Sequence, residues 1–326
     1  MSTAAWIIGA RGLLGKAVGR RLDVDSRWTV LDAEPLPWFD EDRMLESAEA
    51  EFTRLLSAAV DSGEGWAIFW AAGVVVTSSP QERMDDELRV LDRVLAVFAR
   101  VLRDYTHAPA GAIFYASSAG GVYAGSDDPP FDERSIPVPI SPYGHFKLDA
   151  ERRLANFSAA SGASIAIGRI SNLYGPGQSL TKMQGLISHI AKAQISPAPV
   201  SVYVPLDTLR DYLYVDDCAA LVVDTTFRTV EMALLGTPLV VIKNIISGQA
   251  VTISSLLGYF RTLAKGHPHV MLGSSAAASL QSLDLRLRSV VWPDLDQREL
   301  MPLPAGIRAT MTDILAGVQA GTTPQH

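Results

Sequence analysis

The apolar run Ala4-Ala5-Trp6-Ile7-Ile8 breaks directly into Gly9-Ala10-Arg11-Gly12-Leu13-Leu14-Gly15, after which Leu13, Ala17 and Val18 begin a helical spacing that continues to Leu22. A short run without polar alternation suits a strand buried on both faces. A strand that enters a helix through a glycine turn leads naturally to a parallel neighbour, because parallel strands need a crossover connection. The same alternation recurs. Residues 28–31 form a second strand that ends at Asp32, and residues 42–60 read as an amphipathic helix with an acidic outer face. Residues 66–70 form a third strand that ends in Ala71-Ala72-Gly73, and residues 81–103 a long helix with Leu88, Leu91, Leu95, Val97, Phe98 and Leu102 at helical spacings. Residues 112–116 run as a strand into Ser117-Ser118, and a proline-rich loop over 127–139 delivers the chain to a helix that reaches about residue 160. Residues 164–170 complete the series as a strand.

This pattern predicts an α/β fold, a Rossmann-like doubly wound parallel sheet. Past Ser171 it loosens into helices near 182–193, 215–227 and 254–263 and short strands near 201–204 and 239–242, while residues 273–283 are rich in Ser and Ala and resist placement. The expected division is a dinucleotide-binding domain over 1–171 with returning segments near 210–245. A smaller, mostly C-terminal α/β substrate-binding domain takes 172–209 and 246–320, and 321–326 is a loose tail.

The net charge of −7, with no Lys/Arg cluster, argues against nucleic acid as a partner. Cys218 is the only cysteine, which excludes an intrachain disulfide and a cysteine-based zinc site, and no metal site is expected. The N-terminus lacks the basic region of a signal peptide, and the longest apolar stretch, 66–76, is too short to span a bilayer. The expectation is a cytoplasmic protein without a membrane partner.

Glycines at 9, 12 and 15 let a turn close tightly and let the backbone approach a pyrophosphate at the helix N-terminus. Asp32, 23 residues after Gly9, supplies a carboxylate suited to the ribose hydroxyls and repels a 2′-phosphate. That favours NAD over NADP, while a guanidinium at Arg11 speaks for NADP. In Ser141-Pro142-Tyr143-Gly144-His145-Phe146-Lys147, Pro142 opens a helix with Ser141 as its N-cap. Tyr143 and Lys147 then lie one turn apart on one face, where an ammonium group favours the phenolate. Such a pair serves as a general acid/base at a redox site, and as a plain helix-surface pair elsewhere.

In order along the chain, these features resemble the extended short-chain dehydrogenase/reductase family, in particular its nucleotide-sugar epimerases, dehydratases and reductases. The resemblance spans about residues 4–260. It rests on the glycine turn, Ala71-Ala72-Gly73, Ser117-Ser118 with Val122-Tyr123, and Tyr143-x-x-x-Lys147. It continues through Arg169-Ile170-Ser171-Asn172-Leu173-Tyr174-Gly175-Pro176-Gly177 and Arg210-Asp211-Tyr212-Leu213-Tyr214-Val215-Asp216-Asp217. It implies Tyr143 as catalytic acid/base, Lys147 on the nicotinamide ribose, and Ser118 as the hydroxyl on the reacting substrate oxygen, with Ser117 as its rival. It further implies cofactor contacts at Gly9, Arg11, Gly12, Leu13, Leu14, Gly15, Asp32, Ala71, Ala72, Gly73, Ser117 and Ile170, and substrate contacts at Asn172 and Arg210. Read without the resemblance, a Ser-Ser pair at a strand end caps backbone, Asn172 is a turn residue, and Arg210 is a surface ion pair with Asp211 or Asp207.

Three positions depart from the family pattern: Ile8 for a common threonine, Glu87 for a usual asparagine, and Phe146 for a frequent serine. A familiar C-terminal arginine motif is not evident, with Arg286 or Arg288 as substitutes. Family dehydratases carry Asp-Glu after the Ser/Thr, and this chain has Ala119 and Gly120. The resemblance therefore implies an NAD-dependent nucleotide-sugar epimerase, at C4, with an NAD(P)H-dependent reductase of a keto-sugar nucleotide or other carbonyl compound as the alternative. A non-catalytic dinucleotide-binding regulator would be expected to lose Tyr143 or Lys147, and both are present. By analogy the chain would form a homodimer through the helices at 81–103 and 142–160.

Overall fold

In a computed structural model of the chain, which describes residues 2–180, 185–195, 199–236, 238–264, 269–273 and 282–321, six strands form one parallel sheet. They are β1 (Thr3–Ile8), β2 (Trp28–Val30), β3 (Trp66–Trp70), β4 (Gly111–Ser118), β5 (Ser164–Ile170) and β9 (Val240–Ile245), in the order β2-β1-β3-β4-β5-β9. The chain leaves β1 toward one edge and returns to pair β3 on its other side. The sheet direction therefore reverses beside the glycine turn, where open α/β sheets bind ligands.

Strand periodicity decides what each face buries. Trp6, Ile8, Ile68, Trp70, Ile113, Tyr115, Ile165 and Ile167 pack under α2 (Glu41–Ser62), α3 (Gln81–Asp104) and α5 (Pro142–Ser161). Ala5, Ala67, Phe69, Ala112, Phe114 and Ala166 face α1 (Leu13–Asp23) and α7 (Val215–Leu234). The first face is the bulkier, and three helices cover it against two on the other.

Beyond β5 a smaller unit forms. In it β8 (Leu209–Tyr214) pairs in parallel with β6 (Asn172–Tyr174) and β12 (Asp284–Leu285) and antiparallel with β10 (Ala250–Thr252), while β7 (Val200–Val202) pairs with β11 (Val270–Leu272). Tyr174, Ile190, Tyr212, Leu256, Phe260 and Ile307 make its core with α6 (Leu186–Ala193), α8 (Ile253–Ala264) and α9 (Leu303–Gln319). Gly306 is required there, since a Cβ would stand 2.3 Å from the Tyr174 hydroxyl. The single turn α4 (Ala119–Val122) and Tyr123 join the two units through Phe131, Leu285 and Leu287.

Several boundaries differ from the sequence reading. β2 stops at Val30, two residues before Asp32; β9 runs on to Ile245, and α7 to Leu234. The helix expected from residue 182 is described only from Leu186, and most of 273–283 and of the tail lies outside the described residues. Among the described residues no helix is long and apolar enough to cross a membrane.

One polar cluster is sunk in the sheet. Arg169 on β5 donates from Nη2 to Glu151 Oε2 (2.7 Å) and from Nε to Oε1 (3.1 Å), with side-chain exposures of 3% and 4%. Ser117 donates to the same carboxylate (2.5 Å), and Arg169 Nη1 donates to the Tyr123 hydroxyl (2.8 Å). Removing one partner of such a pair leaves a buried, uncompensated charge, whereas removing both does not. Glu151→Leu is expected to lower unfolding free energy by about 3–5 kcal/mol, and Glu151→Leu/Arg169→Leu to regain part of that loss, as measured by urea denaturation.

Candidate active site

The glycine turn is shaped by contacts that exclude side chains. Gly9 has φ +93°, and a Cβ on it would lie 2.5 Å from the Ala72 nitrogen; a Cβ on Gly15 would lie 2.1 Å from the Gly9 carbonyl oxygen. These approaches press the β1–α1 turn against the end of β3. Gly12 is the N-cap of α1 without a side-chain cap, and the first turn carries no acidic residue. The leading N–H groups and the positive end of the helix dipole therefore have no protein anion of that turn before them. Beside this turn opens a cleft of about 230 Å³, lined in part by Gly9, Arg11, Glu34, Leu36, Trp38 and Ala72. A donor-rich helix start, a backbone stripped of side chains and apolar walls fit a dinucleotide.

Ala71, Ala72 and Gly73 line this cleft, and Arg11 lies exposed on it. Leu13 stands half-buried at the helix start, while Leu14 and Ile170 bury their side chains in the core, which leaves only their backbone to a ligand. Asp32 is exposed and outside the lining; its carbonyl accepts from Arg54 Nη2 (3.2 Å). The carboxylate on the lining is that of Glu34.

On α5, Ser141 Oγ accepts from the Gly144 N–H (3.1 Å) and Pro142 occupies the first turn, so the capping chemistry read from the sequence fixes where the helix starts. Lys147 Nζ donates to the Ala116 carbonyl oxygen (3.0 Å) and to the Tyr115 hydroxyl (3.4 Å), and lies 5.9 Å from the centre of the Tyr143 ring. Burial works against the Lys147 charge, but Tyr115, Tyr143 and Glu87 outweigh it and hold the ammonium above its ordinary range. Burial likewise pushes the Tyr115 phenol up, against the pull of Lys147.

Ser118 is the N-cap of α4, its Oγ accepting from the Gly121 N–H (3.2 Å). The capping reading is thus seen in the structure, and accepting that bond still leaves the hydroxyl its own proton to donate. A Cβ on Gly121 would be 3.3 Å from the Tyr143 ring and 3.4 Å from Ser118 Cβ, so both residues close on the position a side chain would take at this glycine. Ser117 corrects two expectations. It is buried and donates to Glu151, so its side chain faces the interior rather than cofactor or substrate.

Asn172 and Arg210 sit on adjacent strands, Asn172 opposite Tyr212 in the β6–β8 ladder that follows the C-terminal end of β5. Asn172 is exposed and donates from Nδ2 to the Asp211 carbonyl oxygen (2.9 Å). Arg210 is not a surface residue. It is 8% exposed and donates to the Leu209 carbonyl oxygen (2.9 Å), while Asp211 is taken up by the Ser247 N–H and hydroxyl. Of the proposed substitutes for the missing arginine motif, Arg286 pairs with Asp284 and Arg288 with Asp132.

Sequence reasoning missed Glu34, Trp38, Tyr115 and Glu151. Glu151 could have been found by extending Tyr143–Lys147 one further turn, since the three residues share one helix face. Tyr115 was readable only as a core strand residue, because its hydroxyl contact with Lys147 depends on how α5 packs.

Similar architectures occur in solved structures. MoeE5 in complex with UDP-glucose and NAD superposes with a TM-score of 0.72 at 21% identity, over 97% of this chain and 100% of that one. UDP-glucose 4-epimerase of Thermotoga maritima gives 0.73 at 18%, over the same shares. Among curated relatives, dTDP-4-dehydro-6-deoxyglucose reductase of Escherichia coli is 36% identical over 106 residues, 32% of this chain and 33% of the relative. dTDP-L-rhamnose 4-epimerase of Burkholderia thailandensis is 34% identical over 122 residues, 37% of this chain and 32% of the relative. These matches span about a third of the relatives' length. The profile of the NAD dependent epimerase/dehydratase family covers residues 5–225, more than half of the chain, and the chain belongs to that family.

Proposed function

We propose that the chain is an NAD-dependent nucleotide-sugar epimerase, acting at C4. The observation that carries this reading is the pairing of Tyr143 and Lys147 beside Ser118 with no carboxylate next to it: Ala119 is fully buried and Gly120 has no side chain. Gly9, Gly12 and the start of α1 would hold the cofactor diphosphate, and Glu34 with Asp32 the adenosine ribose. Lys147 would hold the nicotinamide ribose. A bound nicotinamide would supply reversible hydride exchange with a sugar carbon. Tyr143 takes the proton of the sugar hydroxyl and later returns it. Lys147 offsets the phenolate charge, and Ser118 donates a hydrogen bond to the same sugar oxygen. Elimination of water needs a further acid and base, and Ala119 and Gly120, which follow Ser118, supply neither. The 4-epimerases among the relatives and structural neighbours support C4, and Arg210 and Asn172 supply polar groups for a nucleotide sugar.

A keto-sugar reductase is the second reading, favoured by exposed Arg11 on the cleft and by the Escherichia coli relative. We also read the protein as cytoplasmic, and the outer faces of α3 and α5 as a homodimer surface, which sedimentation at two concentrations checks.

Purified protein is expected to release NAD on denaturation and to interconvert 4-epimers within a panel of UDP-, GDP- and dTDP-sugars without added cofactor. Stoichiometric consumption of NADPH would replace this reading with the reductase. Tyr143→Phe should lower turnover by about 10²–10⁴-fold while leaving cofactor content unchanged.

A second expectation concerns placement. A Cβ on Gly144 would stand 2.2 Å from the Gly121 carbonyl oxygen, so Gly144→Ala must push the start of α5 off α4. The expected result is a kcat loss of about 10²-fold with retained NAD, read from steady-state kinetics and cofactor analysis. An unchanged kcat would show that the Tyr143–Ser118 spacing is not what limits the reaction.

A further inference from the structure

Glu87 lies on the apolar stripe of α3. Met84, Leu88 and Leu91 are buried at helical spacing, and Glu87 falls three residues after the first and four before the last. Glu87 itself is only half-buried, and the desolvation of its carboxylate is offset where its oxygens are engaged. Here Glu87 Oε2 accepts from the Val74 N–H (3.0 Å) and the Val75 N–H (3.2 Å), and a Cβ on Gly73 would stand 3.0 Å from Oε1. Gly73 belongs to the wall of the cofactor cleft, and Ser79 Oγ accepts the next N–H, that of Val76 (2.9 Å). One side chain therefore fixes the backbone that leaves β3 along the cleft.

A neutral amide could accept the same two N–H bonds, so the hydrogen bonds alone do not account for an acid. The charge reaches further. Glu87 acts on both Lys147 and Tyr115, adding to the effects that hold the Lys147 ammonium above its ordinary range against burial. It is thus an anion on α3 that is hydrogen-bonded to the backbone bordering the cleft and acts on the cation of the site.

We propose that Glu87 is a positioning residue that holds the Gly73–Val75 backbone and supplies a fixed negative charge favouring the oxidised, cationic nicotinamide over the reduced, neutral one. The inference rests on the reading that this cleft holds a nicotinamide dinucleotide. Its consequence is a cofactor kept oxidised between turnovers, the state that a reaction with no net redox change requires at its start.

The experiment measures dissociation constants of NAD⁺ and NADH, by fluorescence or calorimetry, for the wild type, Glu87→Gln and Glu87→Ala. Glu87→Gln keeps the acceptor and removes the charge. It should weaken NAD⁺ about three- to tenfold relative to NADH, with an unaltered unfolding midpoint. Glu87→Ala should weaken both forms, because the backbone loses its anchor, and show the same relative loss of NAD⁺. A structural role alone would shift both forms together, and an unchanged NAD⁺/NADH ratio in Glu87→Gln overturns the inference while leaving the function reading intact. A wild-type protein that binds neither form overturns both.

Discussion

The bidentate contact between Glu151 and Arg169 sets where everything else in the site can stand. Tyr143, Lys147 and Glu151 occupy successive turns of one face of α5, so fixing Glu151 fixes the rotation of the other two about the helix axis. The pair is a poor source of stability, since both charges must leave water. Its geometry is what matters. Arg169 comes from β5, and Ser117, which adds a third bond to the carboxylate, comes from β4. The helix is thereby pinned to two adjacent strands, of which β4 ends in Ser118 and β5 ends two residues before Asn172. Lys147 then finds the Ala116 carbonyl without choosing among rotamers in solvent.

The other determinant is the absence of side chains at the places where elements touch. Gly121 against Gly144, Gly9 against Ala72, and Gly15 against Gly9 are backbone contacts that any Cβ would break. The first brings the Tyr143 helix to the Ser118 turn, the second brings the glycine turn to the residues after β3, and the third packs the start of α1 on that turn. The approach of Tyr143 to Ser118 and the glycine turn are thus built by the same means. Each is placed by close packing of regular elements, with little dependence on long loops.

These two determinants explain what could and could not be read from the sequence. The central sheet was legible because parallel strands buried on both faces are continuous apolar runs, and the capping of α5 was legible because Ser141 and Pro142 act locally. Contacts between distant segments were not. Ser117 and Ser118 are chemically identical neighbours, and strand alternation alone could not say which one meets Glu151. Asp32 was assigned to the ribose by its place after the second strand; the strand ends two residues earlier, and the loop that follows adds Glu34 to the cleft lining, which no local pattern announces. In the smaller unit β12 is only two residues long, and α9 begins Leu303-Pro304-Ala305-Gly306, a run that reads as a turn before it reads as a helix start.

The missing carboxylate beside Ser118 is a property of packing as well as of sequence. Ala119 is fully buried in the seam formed by Val122, Phe131, Leu285 and Leu287, and an acid there would have to enter an apolar layer as an uncompensated charge. Gly120 is different, since a Cβ would only make ordinary contact with Leu285, 3.7 Å away. An acid could be accommodated at the second position but not at the first without rebuilding the seam that joins the two units. The strand β12 that supplies Leu285 also pairs with β8 beside Arg210. The seam that excludes an acid at the position of Ala119 is therefore tied, through β12, to the strand that carries Arg210.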